Sequence, residues 1–280
     1  MSLLEFFPDA SEIFENVGIN DGISIVLKDM SKTVPGFRYI YSQNGETQSI
    51  SAENPGETIF SLNPRDSQIV DNIEKFVKDH NLKYLHDSIL PRSLFSIESD
   101  FVERNPNKVR EFDGDHLFNK FNPETEVKLF TNDKAGSAGR TRWYVVNRSD
   151  IPTGHEHINR WKVIAVSANP GGQRRSNQLT IVDNHSAFGR SRVALGSFET
   201  ETEARNFYKY CRSEFIRFAL LLTNEALSSL AKKVPDLLDY SNDNRYIDFS
   251  GDVNAQLYKL FNIDDKTQNY IRSILATKAE

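Results

Sequence analysis

The sequence has a single cysteine and no long apolar run, and each shortage excludes a class of protein. Cys211 stands alone among 280 residues, so an internal disulfide is impossible. This suits the reducing cytoplasm, where we expect the protein. No apolar run approaches the roughly 20 residues that cross a bilayer, so we expect no membrane partner. Residues 1–5 also lack the basic and apolar regions of a signal peptide.

Common catalytic motifs are absent as well. Neither GxxxxGK(S/T) nor GxGxxG occurs, which argues against a phosphate loop and a dinucleotide site. His155, Glu156 and His157 are adjacent and do not have the HExxH spacing of a helical zinc site. Nothing marks a serine, histidine or aspartate as part of an activated nucleophile. We therefore predict no catalytic residue, no metal site and no cofactor in this chain.

One loose match to an enzyme stays open. Asp115, Glu126 and Lys128 follow the acid, acid, lysine order of metal-dependent nucleases, which use Mg²⁺. The chain has 39 acidic and 34 basic residues, so such a match arises easily by chance. A nuclease fragment is therefore an alternative hypothesis and not the preferred one.

Charge is distributed unevenly along the chain. The formal net charge of −5 at pH 7 argues at first against nucleic-acid binding. Residues 134–192, however, hold ten basic and three acidic side chains, a local charge of +7 that leaves −12 for the remainder. Binding responds to the local field, so an acidic protein can still present a basic face to a polyanion.

The basic region contains residue types that bind and read DNA. Arginine fits the O6/N7 edge of guanine, and asparagine or glutamine fits the N6/N7 edge of adenine. The competing interpretation is a set of solvated loops around two core tryptophans, Trp143 and Trp161, and composition does not separate the two. The predicted DNA-binding residues are Arg140, Arg142, Arg148, Arg160, Lys162, Gln173, Arg174, Arg175, Asn177, Gln178, Arg190 and Arg192.

Periodic apolar residues predict an α+β fold. Residues 197–222 repeat apolar positions at intervals of three and four, which predicts a long helix, and Thr200 with Glu203 has the spacing of a capping box. Further helices are predicted at 67–77, 224–232, 252–261 and 266–276. Short apolar or alternating runs predict strands at 23–27, 37–41, 58–62, 127–130, 142–147, 161–166, 179–182 and 192–195. We expect a mainly antiparallel sheet with basic loops, backed by the long helix and the C-terminal helices.

Motifs in the second half of the chain occur together in one family. A strand containing Trp-Lys-Val leads into a Gly-rich polar loop over residues 159–172. Gly-Ser-Phe and a helix of the pattern EAxNxxKYxxSxFxRF follow at 196–218. Ile-Asp-Phe-Ser at 247–250 and Gln-Leu-Tyr at 256–258 complete the set. With these motifs the chain resembles the C-terminal target-recognition region of bacterial restriction–modification adenine-N6 DNA methyltransferases of the single-chain, type IIG kind.

The resemblance implies three parts. Residues 1–45 resemble the terminal hairpin of the methyltransferase catalytic domain. Residues 46–195 would be the β-rich target-recognition domain, and residues 196–280 a helical region packing on it. The Asn-Pro-Pro-aromatic motif that holds the flipped adenine is absent, as is the Gly-containing motif that holds S-adenosylmethionine. We therefore expect a fragment, with S-adenosylmethionine, and Mg²⁺ for any nuclease, bound elsewhere in the parent enzyme.

The resemblance also implies a function. We expect sequence-specific binding of double-stranded DNA, with the parent's own methyltransferase domain as second partner. The parent would be a site-specific adenine DNA methyltransferase, with or without endonuclease activity, and this chain alone would not methylate DNA. A further hypothesis is a protein-interaction module that docks on a separate methyltransferase subunit without binding DNA.

Overall fold

A computed structural model describes residues 1–15, 22–31, 33, 35–53, 62–112, 120–136, 138–167, 174–175, 177–223 and 229–275. The helices are α1 (Ser67–Asp79), α2 (Phe101–Arg104), α3 (His155–Ile158), α4 (Glu201–Arg212), α5 (Glu214–Leu221), α6 (Val253–Leu260) and α7 (Asp265–Leu275). The strands are β1 (Leu3–Phe7), β2 (Ile23–Leu27), β3 (Phe37–Gln43), β4 (Glu46–Ala52), β5 (Lys83–Tyr84), β6 (Val109–Glu111), β7 (Glu126–Asn132), β8 (Thr141–Asn147), β9 (Trp161–Val166), β10 (Leu179–Val182), β11 (Ser186–Phe188), β12 (Arg192–Phe198) and β13 (Pro235–Asp236). This combination of helices with largely antiparallel sheets confirms the predicted α+β class.

Two sheets form the centre of the molecule. In the central sheet, β9 lies between β10 and β12, and both pairings are antiparallel. In the outer sheet, the order is β11-β7-β8-β6, with β7 antiparallel to β8 and parallel to β11. The strands predicted between residues 127 and 195 are all present in these two sheets.

The central sheet has a core on each face, because successive side chains of a strand point in opposite directions. Val163 and Ala165 of β9 belong to a cluster shared with α1 and α4 to α7. Ile164, which lies between them, belongs to a second cluster with Val127 and Leu129 of the outer sheet. The molecule is therefore layered as helices, central sheet and outer sheet.

The predicted long helix is in fact two helices, α4 and α5, that break at Ser213. The φ and ψ of Ser213 are −60° and 150°, an extended conformation. Its hydroxyl accepts a hydrogen bond from the Ile216 amide at 3.3 Å, so Ser213 ends α4 and caps α5, as serine does favourably. The capping box of Thr200 and Glu203 is confirmed. Phe215, beyond the break, still packs in the same core as α4.

The N-terminal sheet is larger than the predicted hairpin. It has the order β2-β1-β3-β4, with β1 parallel to β3. β3 and β4 form one hairpin. The boundary that we expect between the first two parts of the chain, at residues 45 and 46, therefore falls inside this hairpin, where the turn meets β4. Among the described strands, β2 lies at an edge of this sheet, where Ile25, Val26 and Leu27 are 45%, 57% and 59% exposed.

The remaining predicted elements have mixed outcomes. Helices α1, α6 and α7 lie where they were predicted. Of the predicted helix at 224–232, residues 229–232 form turns and 224–228 lie outside the described residues. The predicted strand at 58–62 lies outside them too, except Leu62, which is not in a strand. Within the described ranges, every helix is too short or too polar to span a membrane.

Candidate nucleic-acid interface

Three loops that carry predicted DNA-binding residues meet at one end of the two central sheets. Val166 at the end of β9 pairs with Arg192 at the start of β12. Arg192 Nη2 donates to Thr141 Oγ1 at 2.9 Å, which connects this end to the start of β8. The Ser167 amide donates to the Ser191 carbonyl at 3.0 Å. We call this surface the loop end; it comprises the described residues of 133–142, 174–178 and 189–192.

Two arginines of the loop end form ion pairs with exposed carboxylates. Arg142 Nη1 lies 2.7 Å from Glu111 Oε1, and the two side chains are 52% and 60% exposed. Arg190 Nη1 lies 2.7 and 2.8 Å from the two carboxylate oxygens of Glu98. Exposed pairs of this kind contribute only about 0–1 kcal/mol. A phosphate can therefore replace either carboxylate at little cost in free energy.

A compact turn between β7 and β8 places Arg140. The Asp133 carboxylate accepts a hydrogen bond from the Arg140 amide at 2.7 Å, and this bond lowers the pKa of Asp133. Gly136 has a φ of +80°, a conformation that suits glycine. The exposed Arg140 guanidinium donates to the Gly139 carbonyl at 3.2 Å, a contact that a phosphate oxygen can replace.

The loop between β9 and β10 carries the second pair of arginines. Arg174, Arg175 and Asn177 are exposed, and Gln178 is partly exposed. Gln178 Nε2 donates to Asn177 Oδ1 at 3.0 Å, so two of the three amide side chains predicted to read bases are in contact. The Arg174 carbonyl accepts a hydrogen bond from the Arg217 guanidinium of α5, which attaches this loop to the helical layer. Gln173 lies outside the described residues.

Arg192 is the least exposed arginine of the loop end. Its guanidinium carbon lies 5.4 Å from the centroid of the Phe130 ring, a cation–π contact. Burial lowers the pKa of Arg192 from its ordinary value, but an arginine stays charged. Because Arg192 also binds Thr141, it positions the loops of the interface.

Lys162 is a correction to the predicted set, because it is fully buried. Its exposure is 0%, and its ammonium donates to the carbonyls of Arg160, His157 and Ile158 at 2.5, 2.7 and 3.2 Å. Burial lowers the pKa of Lys162 to about 7. Since side chains alternate along β9, Lys162 faces the same way as the buried Ile164. Lys162 therefore holds the end of α3 and does not face solvent.

Arg148 and Arg160 lie at the same end as Lys162, which we call the α3 end. Arg160 forms an ion pair with Glu199, and its Nη2 donates to the Ser197 carbonyl at 3.1 Å. Arg148 Nη2 donates to Asn159 Oδ1 at 3.0 Å. β9 has six residues, so roughly 20 Å separates the two ends of the sheet. The predicted DNA-binding residues thus lie at two opposite ends of the sheet, the loop end and the α3 end.

The nuclease alternative has little support in the described residues. Glu126 Oε2 accepts hydrogen bonds from Arg110 Nη2 at 2.7 Å and from the Asn122 amide at 2.8 Å. Lys128 Nζ lies 2.9 Å from Asp183 Oδ2. Glu126 and Lys128 are therefore each held in an ion pair with a different residue. Asp115 lies outside the described part of the chain, and within that part no group of three or more His, Cys, Asp or Glu residues is arranged to hold a metal ion.

Comparison with known proteins adds no relative. No protein-family model matches the chain, and no curated protein matches it. The resemblance to adenine-N6 methyltransferases therefore depends on the motifs of the sequence itself. The interface has to be judged on its geometry and charge.

Proposed function

We propose that the chain binds double-stranded DNA through the loop end and recognises a specific base sequence there. The observation that carries this proposal is the convergence of three loops that are distant in sequence. Together they bring four of the predicted arginines to one end of the sheets, Arg140, Arg142, Arg190 and Arg192, and the loop that carries Arg174 and Arg175 leaves β9 at the same end. DNA binding depends on neutralising several neighbouring phosphates at once, and a cluster of arginines does this.

The local charge supports the proposal despite the acidic chain. Seven basic side chains lie at the loop end, the six arginines and Lys134, against the acidic side chains of Glu98, Glu111 and Asp133. The surface is therefore positive by four charges, whereas the whole chain has a net charge of −5. A field of this sign attracts DNA to this end and repels it from the remaining surface.

The same loops supply groups that can read bases. Asn177 and Gln178, at the start of β10, have amides of the kind that pair with adenine in the major groove. Gln173 is the third proposed reader. Phosphate contacts of the arginines would set the position of these side chains on the duplex, and the amides would provide the specificity.

The resemblance extends the proposal to the parent enzyme. We propose that this chain selects the site at which a partner domain methylates adenine, with S-adenosylmethionine bound in that partner. The strand β2 suits such a partner, because among the described strands it lies at the edge of its sheet and has exposed apolar side chains, which favours addition of another element. The chain alone should bind DNA and leave it unmethylated.

A salt titration tests the electrostatic part of the proposal. If five phosphates are neutralised, the logarithm of the binding constant should fall with that of salt concentration at a slope of about −4 to −5. Fluorescence anisotropy of a labelled duplex measures this slope. Selection from a random duplex library then tests whether the chain prefers one sequence. Affinity that does not change with salt would contradict the proposal.

A matched pair of variants locates the binding surface. Arg174→Ala with Arg175→Ala should weaken duplex binding about tenfold or more and reduce the salt slope by about 2. Arg245→Ala with Lys266→Ala removes the same charge from exposed positions near and within the C-terminal helices, and should change binding little. Equal losses in both variants would mean that net charge alone governs affinity.

A further inference from the structure

A groove lined by aromatic rings lies beside the outer sheet. Its volume is about 240 Å³. Trp143 of β8 and Trp161 of β9 contribute indole rings, and Phe112 contributes a third ring. Ile181, Lys128, Asp183 and Arg205 complete the lining. Aromatic residues that remain partly exposed around an open groove offer flat surfaces to a planar ligand.

The groove is connected to the loop end by a row of rings and a guanidinium in contact. The Trp143 ring lies 4.8 Å from the Phe130 ring, centroid to centroid. Phe130 in turn lies 5.4 Å from the guanidinium carbon of Arg192. Trp143 also follows Arg142 directly in β8. A nucleic acid held by the arginines of the loop end therefore has an aromatic surface two groups away from Arg192.

Polar groups of the groove are held in fixed positions. Lys128 Nζ lies 2.9 Å from Asp183 Oδ2 and 4.9 Å from the Phe121 ring centroid. Asp183 also accepts hydrogen bonds from the Ser186 hydroxyl at 2.5 Å and the His185 amide at 3.0 Å. The groove thus presents a fixed ammonium donor and a fixed carboxylate acceptor beside the rings, which suits the mixed donor and acceptor edge of a nucleobase.

We propose that this groove stacks one unpaired nucleobase of the DNA that the loop end binds, a role that rests on the proposed function. Its volume lies below the about 300–1,000 Å³ of pockets that enclose drug-sized ligands, so it suits a single ring system. Stacking on aromatic side chains accepts any base, since every base has a π-face. The rings therefore hold an unstacked base of any identity, the Lys128–Asp183 pair lies beside the edge of that base, and the loop end reads the paired bases.

Intrinsic fluorescence offers a direct test, because the chain has only two tryptophans and both line the groove. The probes are a fully paired duplex, the same duplex with one unpaired adenine, and a single-stranded oligonucleotide. The duplex with the unpaired adenine should bind about tenfold more tightly than the paired duplex and quench tryptophan emission. Trp143→Ala should abolish this preference, and Trp143→Phe, which keeps a ring and the packing, should retain part of it.

The outcomes separate the groove from the loop end. Salt-dependent binding of the paired duplex, with no preference for the unpaired adenine and no quenching, would overturn the groove and leave the proposed function in place. Quenching by the single strand without duplex binding would support the groove and contradict the proposed function. An unchanged preference in Trp143→Ala, in a variant with the circular dichroism spectrum of the parent, would also overturn the groove.

Discussion

The two ends of the central sheets carry the same residue types and use them differently. At the loop end, Arg142 and Arg190 pair with exposed carboxylates, and salt weakens such pairs. At the α3 end, the fully buried Lys162 donates to four backbone carbonyls, those of His157, Ile158, Arg160 and Asp183. Removing a cation from the first end exposes a carboxylate to water, whereas removing one from the second leaves buried acceptors without donors. Position within the strand therefore decides whether a cation is available to a ligand.

Among the changes that test this difference between the two ends, replacing Lys162 by methionine should alter the stability of the protein most. The variant keeps the volume of the side chain and removes its donors, so the carbonyls of Ile158, Arg160 and Asp183 lose the ammonium, whereas the His157 carbonyl keeps the Arg160 amide at 3.3 Å. We expect a loss of about 1–3 kcal/mol in the free energy of unfolding. Urea denaturation followed by circular dichroism measures it.

The matched variant at the loop end is Arg174→Ala with Arg175→Ala. Both side chains are exposed, so the free energy of unfolding should change by less than about 0.5 kcal/mol. A Lys162→Met protein as stable as the parent would remove the distinction between the two ends. So would a large loss of stability in the variant of the two loop arginines.

The two ends should also differ in how much they make the free energy of unfolding depend on pH, and this effect is smaller. Burial lowers the pKa of Lys162 to about 7 in the folded protein, and an unfolded lysine has a pKa of about 10.4. Between these values the unfolded chain binds more protons, so stability should rise with pH, by at most about 1.4 kcal/mol per unit. Below about pH 7 both states hold the proton, and this contribution stops changing.

Denaturation of the parent and of Lys162→Gln from about pH 7 to about pH 9 measures this slope. The glutamine keeps amide donors and does not titrate, so the slope should be smaller in the variant by the contribution of one proton. Equal slopes in the two proteins would show that Lys162 keeps an ordinary pKa in the folded state.

The fold was predictable where local pattern and tertiary environment agree. β9 was visible as a short apolar run from Val163 to Val166, and such a run suits a strand that lies between two cores. β4 was missed because it is mostly polar, with Ala52 as its buried residue, and only its pairing with β3 makes it a strand. The break at Ser213 was missed because the apolar stripe continues through it, although serine is a favoured cap.

For the candidate site, the sequence indicated which residue types take part better than it indicated where each side chain lies. Strand alternation would have placed Lys162 on the side of Ile164 and so identified it as buried. No local signal reveals the carboxylates of the loop end, because Glu98 is 92 residues from Arg190 and Glu111 is 31 residues from Arg142. Those pairings depend on how the sheets come together, which the order of residues along one strand does not encode.

Removing the charge of Glu98 or Glu111 should have the smallest effect on stability, and it tests most directly whether DNA binds at the loop end. Glu98→Gln and Glu111→Gln each release an arginine from an exposed pair, so stability should change by less than about 1 kcal/mol. Each change should tighten duplex binding about twofold to fivefold and steepen the salt slope, because one more arginine is available to phosphate. Glu199→Gln makes the same charge change at the α3 end, beside Arg160, and should leave affinity unchanged. An equal gain from Glu199→Gln would mean that DNA responds to the net charge of the chain and not to the loop end.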